Sequence, residues 1–509
     1  MRFFKGVYRF FRSILLACLV MLPVYVFGTL YMNRDYLSRE GVMMWWTYLT
    51  RGPAPAAAVP DDWGHGTIPP VNADLLAIPA LLRAGDHMAL DSLFRRDREV
   101  FWSFSESAPD LAEPLDAWVK AQPLSAAAHL TRGKYWHTIG AHRRGSAYAS
   151  RTTATQFAEM HNAYGRAERD YLAARALAPR LGQAYAGLLA IYNSTGRDRE
   201  LAETWAAAVA EGAVSTRLYF YLINSMKPWW SRMSGTESVA AVRALLEELE
   251  TGSLKGTGEL ERLRAYPGYI EAEVLWRAGR RDAALARYGE IVEGTQGLAH
   301  LDNYASRLSS AGRDAEALPI YAARLRYAPE DGGTAARYGG ALVRLQLYDE
   351  AREAFDRALQ IDSHDPGTLA RRATLHSSLE RYREALADYE RAKVYGSERA
   401  SNWAGAGRMR LRLREELPEA AANYRRAIEL KPDREAYHYN FAAVLDRMQD
   451  CRAIPVYLSY LQLCREKGEC DAYSVNWVTV RSNSLVDRLI CSIDGHRLDP
   501  GAWLPVGDG

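Results

Sequence analysis

The sequence has little that would support nucleic-acid binding. Its 64 Lys and Arg residues nearly balance its 62 Asp and Glu residues, which leaves a formal net charge of +2. Four of the basic residues (Arg2, Lys5, Arg9 and Arg12) lie within the first twelve positions, whereas the first acidic residue is Asp35. Without those four, 60 basic residues face 62 acidic ones. A body with no excess of positive charge is a poor candidate for binding nucleic acid.

Catalytic motifs are also missing. The chain has no Gly-x-Ser-x-Gly elbow, no phosphate-binding glycine loop and no His-Glu-x-x-His motif among its 11 histidines. Paired carboxylates such as Glu247-Glu248 and Glu415-Glu416 lie in charged helical stretches. The sequence therefore predicts a protein that is not an enzyme, with no cofactor and no evident small-molecule substrate.

Cysteine is scarce. Of five cysteines, four fall near the C-terminus: Cys451, Cys464, Cys470 and Cys491. Their even number and clustering suit two disulfides in an oxidising compartment, with free thiols or a zinc site as alternatives. If 453–464 is one helix, Cys451 and Cys464 lie about 20 Å apart, too far for a bond. A turn at Lys467-Gly468 favours the pairs Cys464–Cys470 and Cys451–Cys491.

One long apolar stretch is present. Residues 14–32 carry no charge and are long enough to cross a bilayer of about 30 Å. The basic segment 1–13 should stay in the cytoplasm, which predicts a single-pass signal anchor in the bacterial inner membrane with the body in the periplasm. The alternatives are a cleaved signal peptide ending near Phe27-Gly-Thr-Leu-Tyr31 and a lipoprotein box at Leu15-Leu-Ala-Cys18.

Residues 33–72 form the predicted juxtamembrane segment and linker. The aromatic cluster Met43-Met44-Trp45-Trp46 suits either the membrane surface or packing on the folded body. The prolines and alanines of 51–72 indicate a semi-extended spacer.

A repeat with a period of 34 to 35 residues is the clearest pattern. Aromatic residues recur at Tyr321, Phe355, Tyr389 and Tyr424, each with an alanine four positions earlier. Polar turns at Gly312-Arg-Asp, Gln346-Leu-Tyr and Glu380-Arg-Tyr separate the two helices of each unit. A repeat at this spacing is a helical hairpin that must stack on its neighbours, which predicts an all-α solenoid.

These residues resemble the tetratricopeptide repeat. The unit 332–365 carries Gly339 and Phe355 at that family's small and aromatic positions, and the unit 400–433 carries Gly407, Tyr424 and Pro432. The pattern departs from the family at Arg324, in place of alanine, and at Ser363 and Ser397, in place of proline. The resemblance implies stacked hairpins over residues 266–465, followed by a cysteine-containing cap at 466–509.

Residues 73–265 are expected to form an irregular helical domain after the anchor and linker. The tryptophan Trp118 after Leu115, the run Arg144-Gly-Ser-Ala-Tyr-Ala149 and the segment Lys227-Pro-Trp-Trp230 resemble a bacterial domain family of unknown function. That family is often joined to tetratricopeptide units, and the resemblance covers about residues 90–260. It implies an all-helical fold and no established activity.

The resemblance to tetratricopeptide stacks implies a scaffold that binds a peptide or partner protein in a groove. With the anchor predicted at 14–32, the leading hypothesis is a membrane-anchored scaffold of the bacterial envelope. Arginines at the far end of this groove suit a partner with an acidic end. Counted from the repeat starts, the groove-facing positions are Asp302, Ser306, Ser309, Arg344, Ser377, Arg408 and Arg412.

The alternative function is an enzyme, or an accessory subunit of an envelope assembly or polysaccharide export system, with its site in the irregular domain. The candidate residues for that site are Trp136, His137, Arg143 and Arg144. A closed pocket there with shifted pKa values would favour an enzyme, whereas an open groove would favour the scaffold.

Overall fold

The computed structural model describes residues 67–145, 149, 152–229, 231, 233–251, 260, 263–294, 300–468 and 472–487. All regular secondary structure within these ranges is helical, which confirms the all-α prediction. The predicted anchor 14–32 lies outside the described residues. Within them, no helix combines the length and apolar character needed to cross a bilayer.

The helices follow one another as antiparallel neighbours joined by short turns. A 3₁₀ turn at Pro109–Leu111 lies between the third and fourth helices. In chain order the helices are α1 (Ala73–Ala84), α2 (His87–Arg96), α3 (Arg98–Ser103), α4 (Ala112–Ala121), α5 (Ala126–Arg144), α6 (Ala154–Leu177), α7 (Gly182–Thr195), α8 (Asp198–Ala210), α9 (Thr216–Ser225), α10 (Gly235–Thr251), α11 (Tyr266–Arg277), α12 (Arg281–Gly294), α13 (Leu301–Ser310), α14 (Asp314–Tyr327), α15 (Gly332–Arg344), α16 (Tyr348–Ile361), α17 (Pro366–Ser378), α18 (Tyr382–Ala392), α19 (Ala400–Leu413), α20 (Leu417–Leu430), α21 (Glu435–Arg447), α22 (Ala453–Lys467) and α23 (Ala472–Asp487).

The turns inside the hairpins recur with the sequence period. Gly312, Gln346, Glu380 and Arg414 follow the first helix of four successive repeats, and all have positive φ angles, of 78°, 62°, 60° and 60°. Glycine adopts this left-handed conformation freely, whereas the three other residues adopt it at some cost. The polar turns predicted from the sequence are therefore real left-handed breaks between helices.

Glycines and aromatic rings make the close contacts between helices. A β-carbon built on Gly339 would lie 2.8 Å from Phe355, one on Gly407 would lie 2.9 Å from Tyr424, and one on Gly405 would lie 2.5 Å from Tyr389. Only a hydrogen fits at these positions, so glycine lets each ring fill the space between neighbouring helices. The tetratricopeptide-like arrangement of the repeats is thus confirmed.

The hydrophobic core does not break at the predicted domain boundary at residue 265. One buried cluster runs from Val71 to Leu218, and the next begins at Tyr219 and continues to Ala341. The two clusters meet inside α9, so α10 packs with α11 and the repeats.

The C-terminal helix packs on the last hairpin. Arg481 on α23 lies 2.7 Å from Asp446 on α21. Because α22 is one continuous helix, Cys464 lies about 16 Å along it from its first residue, which rules out a bond between Cys451 and Cys464. Both cysteines are disulfide-bonded. Cys470 and Cys491 lie outside the described residues, so the pairing stays a prediction.

The N-terminal helices also contact repeats that lie much later in the sequence. Ile361 and Tyr395 belong to the same buried cluster as α1 to α9, and Ile68 packs against a cluster that contains Leu325 and Ala358. The stack of helices therefore turns back on itself, so that the region around α5 contacts the region around α18. In a simple solenoid each hairpin would contact only the hairpins next to it in the sequence.

Buried hydrogen bonds hold this closure. The hydroxyl of Ser107 donates to Asp362 Oδ1 at 2.7 Å, and the hydroxyl of Ser363 donates to Glu106 Oε1 at 2.9 Å. The backbone N–H of Ser363 also donates to Glu106, to Oε2 at 3.2 Å. Glu106, Ser107 and Asp362 are buried, and Ser363 is half-buried. The hydrogen bonds therefore offset the cost of removing the two carboxylates from water.

An imidazole and a phenol complete the closure. His142 Nε2 lies 2.5 Å from Asp362 Oδ2, and its ring stacks on Tyr395 at 6.1 Å. The Tyr395 hydroxyl donates to the carbonyl oxygen of Ser107 at 2.7 Å. We call Glu106, Ser107 and His142, with Asp362, Ser363 and Tyr395, the closure contact.

The closure contact gives a physical reason for one departure from the repeat pattern. Ser363 stands where the repeat family has proline, and it uses both its hydroxyl and its N–H to bind Glu106. Proline has neither group and could not make these two bonds, which accounts for the departure from the repeat pattern.

We therefore expect Ser363→Pro to open the closure contact. The substitution removes two hydrogen bonds to a buried carboxylate, which should lower the free energy of opening by about 3 kcal/mol. Amide hydrogen exchange in 104–108 and 361–365 should become about 100-fold faster, since 1.4 kcal/mol corresponds to a factor of ten.

Ser397→Pro is the matched control, since Ser397 occupies the same position one repeat later and its carbonyl oxygen, which proline retains, accepts the Trp403 indole N–H at 2.7 Å. Exchange in the two segments should stay at the wild-type rate in this control. Equal exchange in Ser363→Pro and Ser397→Pro would contradict the closure.

Candidate functional site: an arginine-lined inner face

The first helices of the repeats share one side of the stack. Helix α13 contacts α15, α15 contacts α17, and α19 contacts α21, so first helices lie side by side across successive repeats. In a stack of hairpins this close approach marks the concave side. We call this side, which carries Asp302, Arg337, Arg371 and Arg408, the inner face.

Asp302, one of the predicted groove residues, is already paired. Its Oδ2 lies 3.0 Å from Arg337 Nη2 on the next first helix. Burial raises the pKa of Asp302, and the positive charges of Arg337 and Arg324 oppose that rise. The carboxylate therefore holds a neighbouring arginine and is not an open acceptor for a ligand.

Arg344 and Ser309 likewise bind a residue of the protein itself. Arg344 Nε and Nη2 both lie 2.8 Å from Asp314, and Nη2 lies 2.9 Å from the Ser309 hydroxyl. Although burial would raise the pKa of Asp314, its hydrogen bonds with Arg344 and Ser309 hold that pKa below the ordinary value. These side chains tie one repeat to the next.

The other predicted groove residues differ in exposure. Ser306 and Ser377 are half-buried on α13 and α17. Arg408 and Arg412 are exposed on α19, four residues and so about one turn apart. Across the described part of the chain, neither arginine makes an ion pair or a hydrogen bond. Among the residues predicted to line the groove, Arg408 and Arg412 are therefore the two whose guanidinium groups are accessible to a partner.

Two further arginines were missed by the sequence reasoning. Arg371 lies on α17. Desolvation lowers its pKa, the charge of Asp365 acts against this shift, and the like charges of Arg337 and Arg399 add to it. Burial acts to lower the pKa of His142 but Asp362 raises it overall, and Arg399, just before α19, is close enough for its charge to oppose that rise. Neither Arg371 nor Arg399 forms an ion pair or hydrogen bond with any described residue.

The repeat period could have predicted the position of Arg371. Arg337 and Arg371 are 34 residues apart and occupy the same position in consecutive first helices. Arg399 has no such signal, because its neighbourhood depends on the closure contact.

A cluster of aromatic rings lies near the first of the inner-face helices. Lys227 Nζ lies 4.5 Å from the Tyr269 ring centroid and 5.3 Å from that of Tyr266. Burial lowers the pKa of Lys227 to about 8, although Glu273 and Asp302 act against the shift.

His300 lies between the same two tyrosines. Its ring stacks on Tyr269 and meets Tyr266 edge-on, each at 4.5 Å, and both ring nitrogens are buried without a hydrogen-bond partner. Burial, followed by the charges of Lys227 and Arg324, lowers the pKa of His300 to about 3. The imidazole is therefore neutral in the folded protein.

The proposed enzyme residues do not gather in one pocket. The guanidinium carbon of Arg166 lies 4.3 Å from the Trp136 ring centroid, whereas His137 Nδ1 lies 3.2 Å from the Tyr171 hydroxyl. Arg143 pairs with Glu159 at 2.8 Å. Arg144, at the end of α5, donates to the carbonyl oxygen of Gly145 at 3.1 Å.

These four side chains therefore make separate contacts, although burial does lower the pKa of His137 to about 3. In the ranges that the structure describes, no three His, Cys, Asp or Glu side chains are placed to hold a metal ion.

A family comparison bears on the middle region. The profile of a domain family of unknown function, DUF4034, matches residues 78–219. This match confirms the resemblance expected for the middle of the chain, with its end before the segment Lys227-Pro-Trp-Trp230. No curated protein matches the sequence.

Solved structures with similar parts include three helical-repeat proteins. MamA (residues 41-end) from Desulfovibrio magneticus RS-1 is 20% identical, with 34% of this chain and 97% of that chain covered and a TM-score of 0.31. PilF from Pseudomonas aeruginosa is 17% identical, with 38% and 86% covered and a TM-score of 0.34.

YrrB, whose title calls it a TPR protein with an unusual peptide-binding site, is 20% identical, with 32% and 84% covered and a TM-score of 0.30. The repeat fold of this chain is assigned from its own helices and spacing.

The neutral state of His300 predicts a specific pH dependence. Because its pKa is about 3 when folded and about 6.5 when unfolded, only the unfolded chain takes up the proton as the pH falls below 6.5. Between pH 7 and pH 5 this should cost about 2 kcal/mol of stability. His300→Phe keeps the ring and removes the titration, so its stability should fall less over this range.

Chemical denaturation at the two pH values measures the difference. The exposed histidine His161 provides the control, because His161→Phe should keep the wild-type pH dependence. If His300→Phe loses as much stability as the wild type, the imidazole is not buried and neutral as described.

Proposed function

We propose that this chain is a scaffold that holds an acidic segment of a partner protein on its inner face and is anchored in the bacterial inner membrane by residues 14–32. Two exposed arginines, Arg408 and Arg412, carry the proposal because neither makes an ion pair or a hydrogen bond with a described residue. Guanidinium groups bind carboxylates through two parallel hydrogen bonds, so an acidic partner fits them.

The fold supports a protein partner over other ligands. Stacked hairpins offer a continuous face on which a peptide or helix can lie. The near-neutral charge of the body disfavours a nucleic acid, for which a broad basic surface is needed. Among the described residues, Trp136, His137, Arg143 and Arg144 make separate contacts, so they do not support a second function.

The location of the body in the periplasm is part of the proposal. Its support is the uncharged stretch 14–32 after a basic N-terminus, together with the disulfide bonds of Cys451 and Cys464. Within this proposal the pairs are Cys464–Cys470 and Cys451–Cys491, which would hold the C-terminal cap on the last repeat.

Charge reversal on the inner face should abolish partner capture. In the double variant Arg408→Glu with Arg412→Glu, two attractive charges become repulsive toward an acidic segment, which should weaken binding at least about tenfold. The amount of each protein co-purified with the full chain from detergent-solubilised membranes, measured by quantitative mass spectrometry, reports this loss.

The control carries the same charge change on the second helices. Arg425 on α20 and Arg465 on α22 are both exposed, and Arg425→Glu with Arg465→Glu should capture the partner normally. For the wild type, capture should also weaken as salt is raised. Equal capture by the two double variants would show that the partner does not bind this face.

The membrane topology predicts how the thiols react. With a membrane-impermeant reagent on intact spheroplasts, the C-terminal cysteines should be labelled only after reduction, because they face the periplasm as disulfides. Labelling that needs lysis but no reductant would place the body in the cytoplasm and contradict the anchor orientation.

A further inference from the structure

The histidine of the closure contact lies between two carboxylates of the repeats. His142 Nε2 lies 2.5 Å from Asp362 Oδ2, and its Nδ1 lies 3.6 Å from Asp365 Oδ1. Only the protonated imidazole has a hydrogen on both nitrogens and a positive charge, so only this form attracts both carboxylates. The protonation state of one ring on α5 therefore determines how strongly that helix is held by the repeats.

Both carboxylates are also fixed by other bonds. Asp362 Oδ1 accepts the hydroxyl of Ser107 at 2.7 Å. Asp365 precedes α17 and accepts the backbone N–H of Thr368 at 2.7 Å. Because these bonds do not involve the ring, the two carboxylates are presented to His142 whatever its charge.

The arginines around the closure contact do not titrate with the ring. Arg143 pairs with Glu159 at 2.8 Å, and Arg391 donates to the carbonyl oxygen of Ser363. Arg399 acts against protonation of the ring, but its own guanidinium stays charged across the physiological range. These cations therefore contribute no pH dependence of their own near neutral pH.

The acidic groups favour the protonated ring. Burial acts to lower the pKa of His142, but the charge of Asp362, its hydrogen bond and the charge of Asp365 raise that pKa overall. Burial, followed by the charge of Asp362, also raises the pKa of Glu106. Burial lowers the pKa of the neighbouring His364, so that imidazole is neutral at pH 7 and does not replace His142 as a cation.

We propose that His142 is a pH-sensitive latch, which holds the middle domain against the repeats when its imidazole is protonated and loosens the closure contact when the proton is lost. The bond to Asp362 then changes from charge-assisted to neutral, and the attraction to Asp365 disappears. The latch is a property of the closure contact and depends neither on the partner nor on the membrane anchor.

Rising pH should loosen the latch. The closed form binds the proton more tightly than the open form, in which histidine has an ordinary pKa of about 6.5. The contribution of His142 is therefore fully present below that value and is lost as the pH rises through the pKa of the closed form. The buried His300 acts in the opposite direction, since it lowers stability as the pH falls, so the latch must be measured locally.

Hydrogen exchange at the closure contact provides this local measurement. The backbone N–H groups of Ser107 and Ser363 bond to Asp362 and Glu106, so their exchange reports opening of the contact. Rates are measured for the full chain in detergent from pH 6 to pH 9, and each is divided by the rate of an unstructured peptide of the same sequence at the same pH. Protection should fall at least about fivefold over this range, because a charge-assisted hydrogen bond is about twice as strong as a neutral one.

Three variants identify the group that titrates. His142→Gln keeps a donor for Asp362 but cannot be protonated, so protection should change less than about twofold over the same range. Glu106→Gln removes the other group with a raised pKa and should keep the wild-type fall. His161→Gln, at an exposed histidine, is the matched control and should also keep it.

Asp365→Asn tests the latch without altering the histidine. Asparagine caps a helix as aspartate does, but the substitution removes the charge 3.6 Å from Nδ1. Protection should therefore fall at a lower pH than in the wild type, a shift that a merely structural role of His142 would not produce. Constant protection in the wild type, an equal fall in His142→Gln, loss of the fall in Glu106→Gln or an unshifted fall in Asp365→Asn would each overturn the latch.

Discussion

Two buried carboxylates that touch the chain more than 250 residues away determine the arrangement of this protein. Glu106 and Asp362 are both 7% exposed, and they lie near enough for the charge of Asp362 to raise the pKa of Glu106 beyond the effect of burial. Serine donors and the imidazole of His142 offset this repulsion. Leaving either carboxylate unpaired would be costly, so the contact forms as a unit.

Closure changes what the inner face can do. An open solenoid would present its first-helix arginines along one groove, each facing solvent. Here the end of α5 is brought against Arg399, so the middle domain adjoins the start of α19. The match of a domain family to residues 78–219 thus falls on a region that contacts the repeats.

Much of the fold followed from local patterns in the sequence. The aromatic spacing predicted the hairpins, and the close approach of Gly339 to Phe355 is a contact within one repeat. The closure was not predicted, because no periodicity links Glu106 to a residue 257 positions away. The sequence feature that reflects the closure is Ser363, which departs from the repeat pattern.

The candidate site was predicted in part for the same reason. Repeat positions indicated which residues share the inner face, so Arg408 and Arg412 were found. The repeat positions do not show which side chains pair with each other. Arg344, for example, was expected to be a free groove residue, but it binds Asp314. Arg371 repeats Arg337 at the 34-residue period, while Arg399 meets the middle domain only in the closed tertiary structure.

A double-mutant cycle on Glu106→Ala and Ser363→Ala tests the closure most directly. The free energy of unfolding is measured for the wild type, both single variants and the double variant. Since the serine donates two hydrogen bonds to this carboxylate, we expect a coupling energy of at least about 1.5 kcal/mol. Effects that add to within about 0.5 kcal/mol would mean that the two residues do not touch, and the closed arrangement would be wrong.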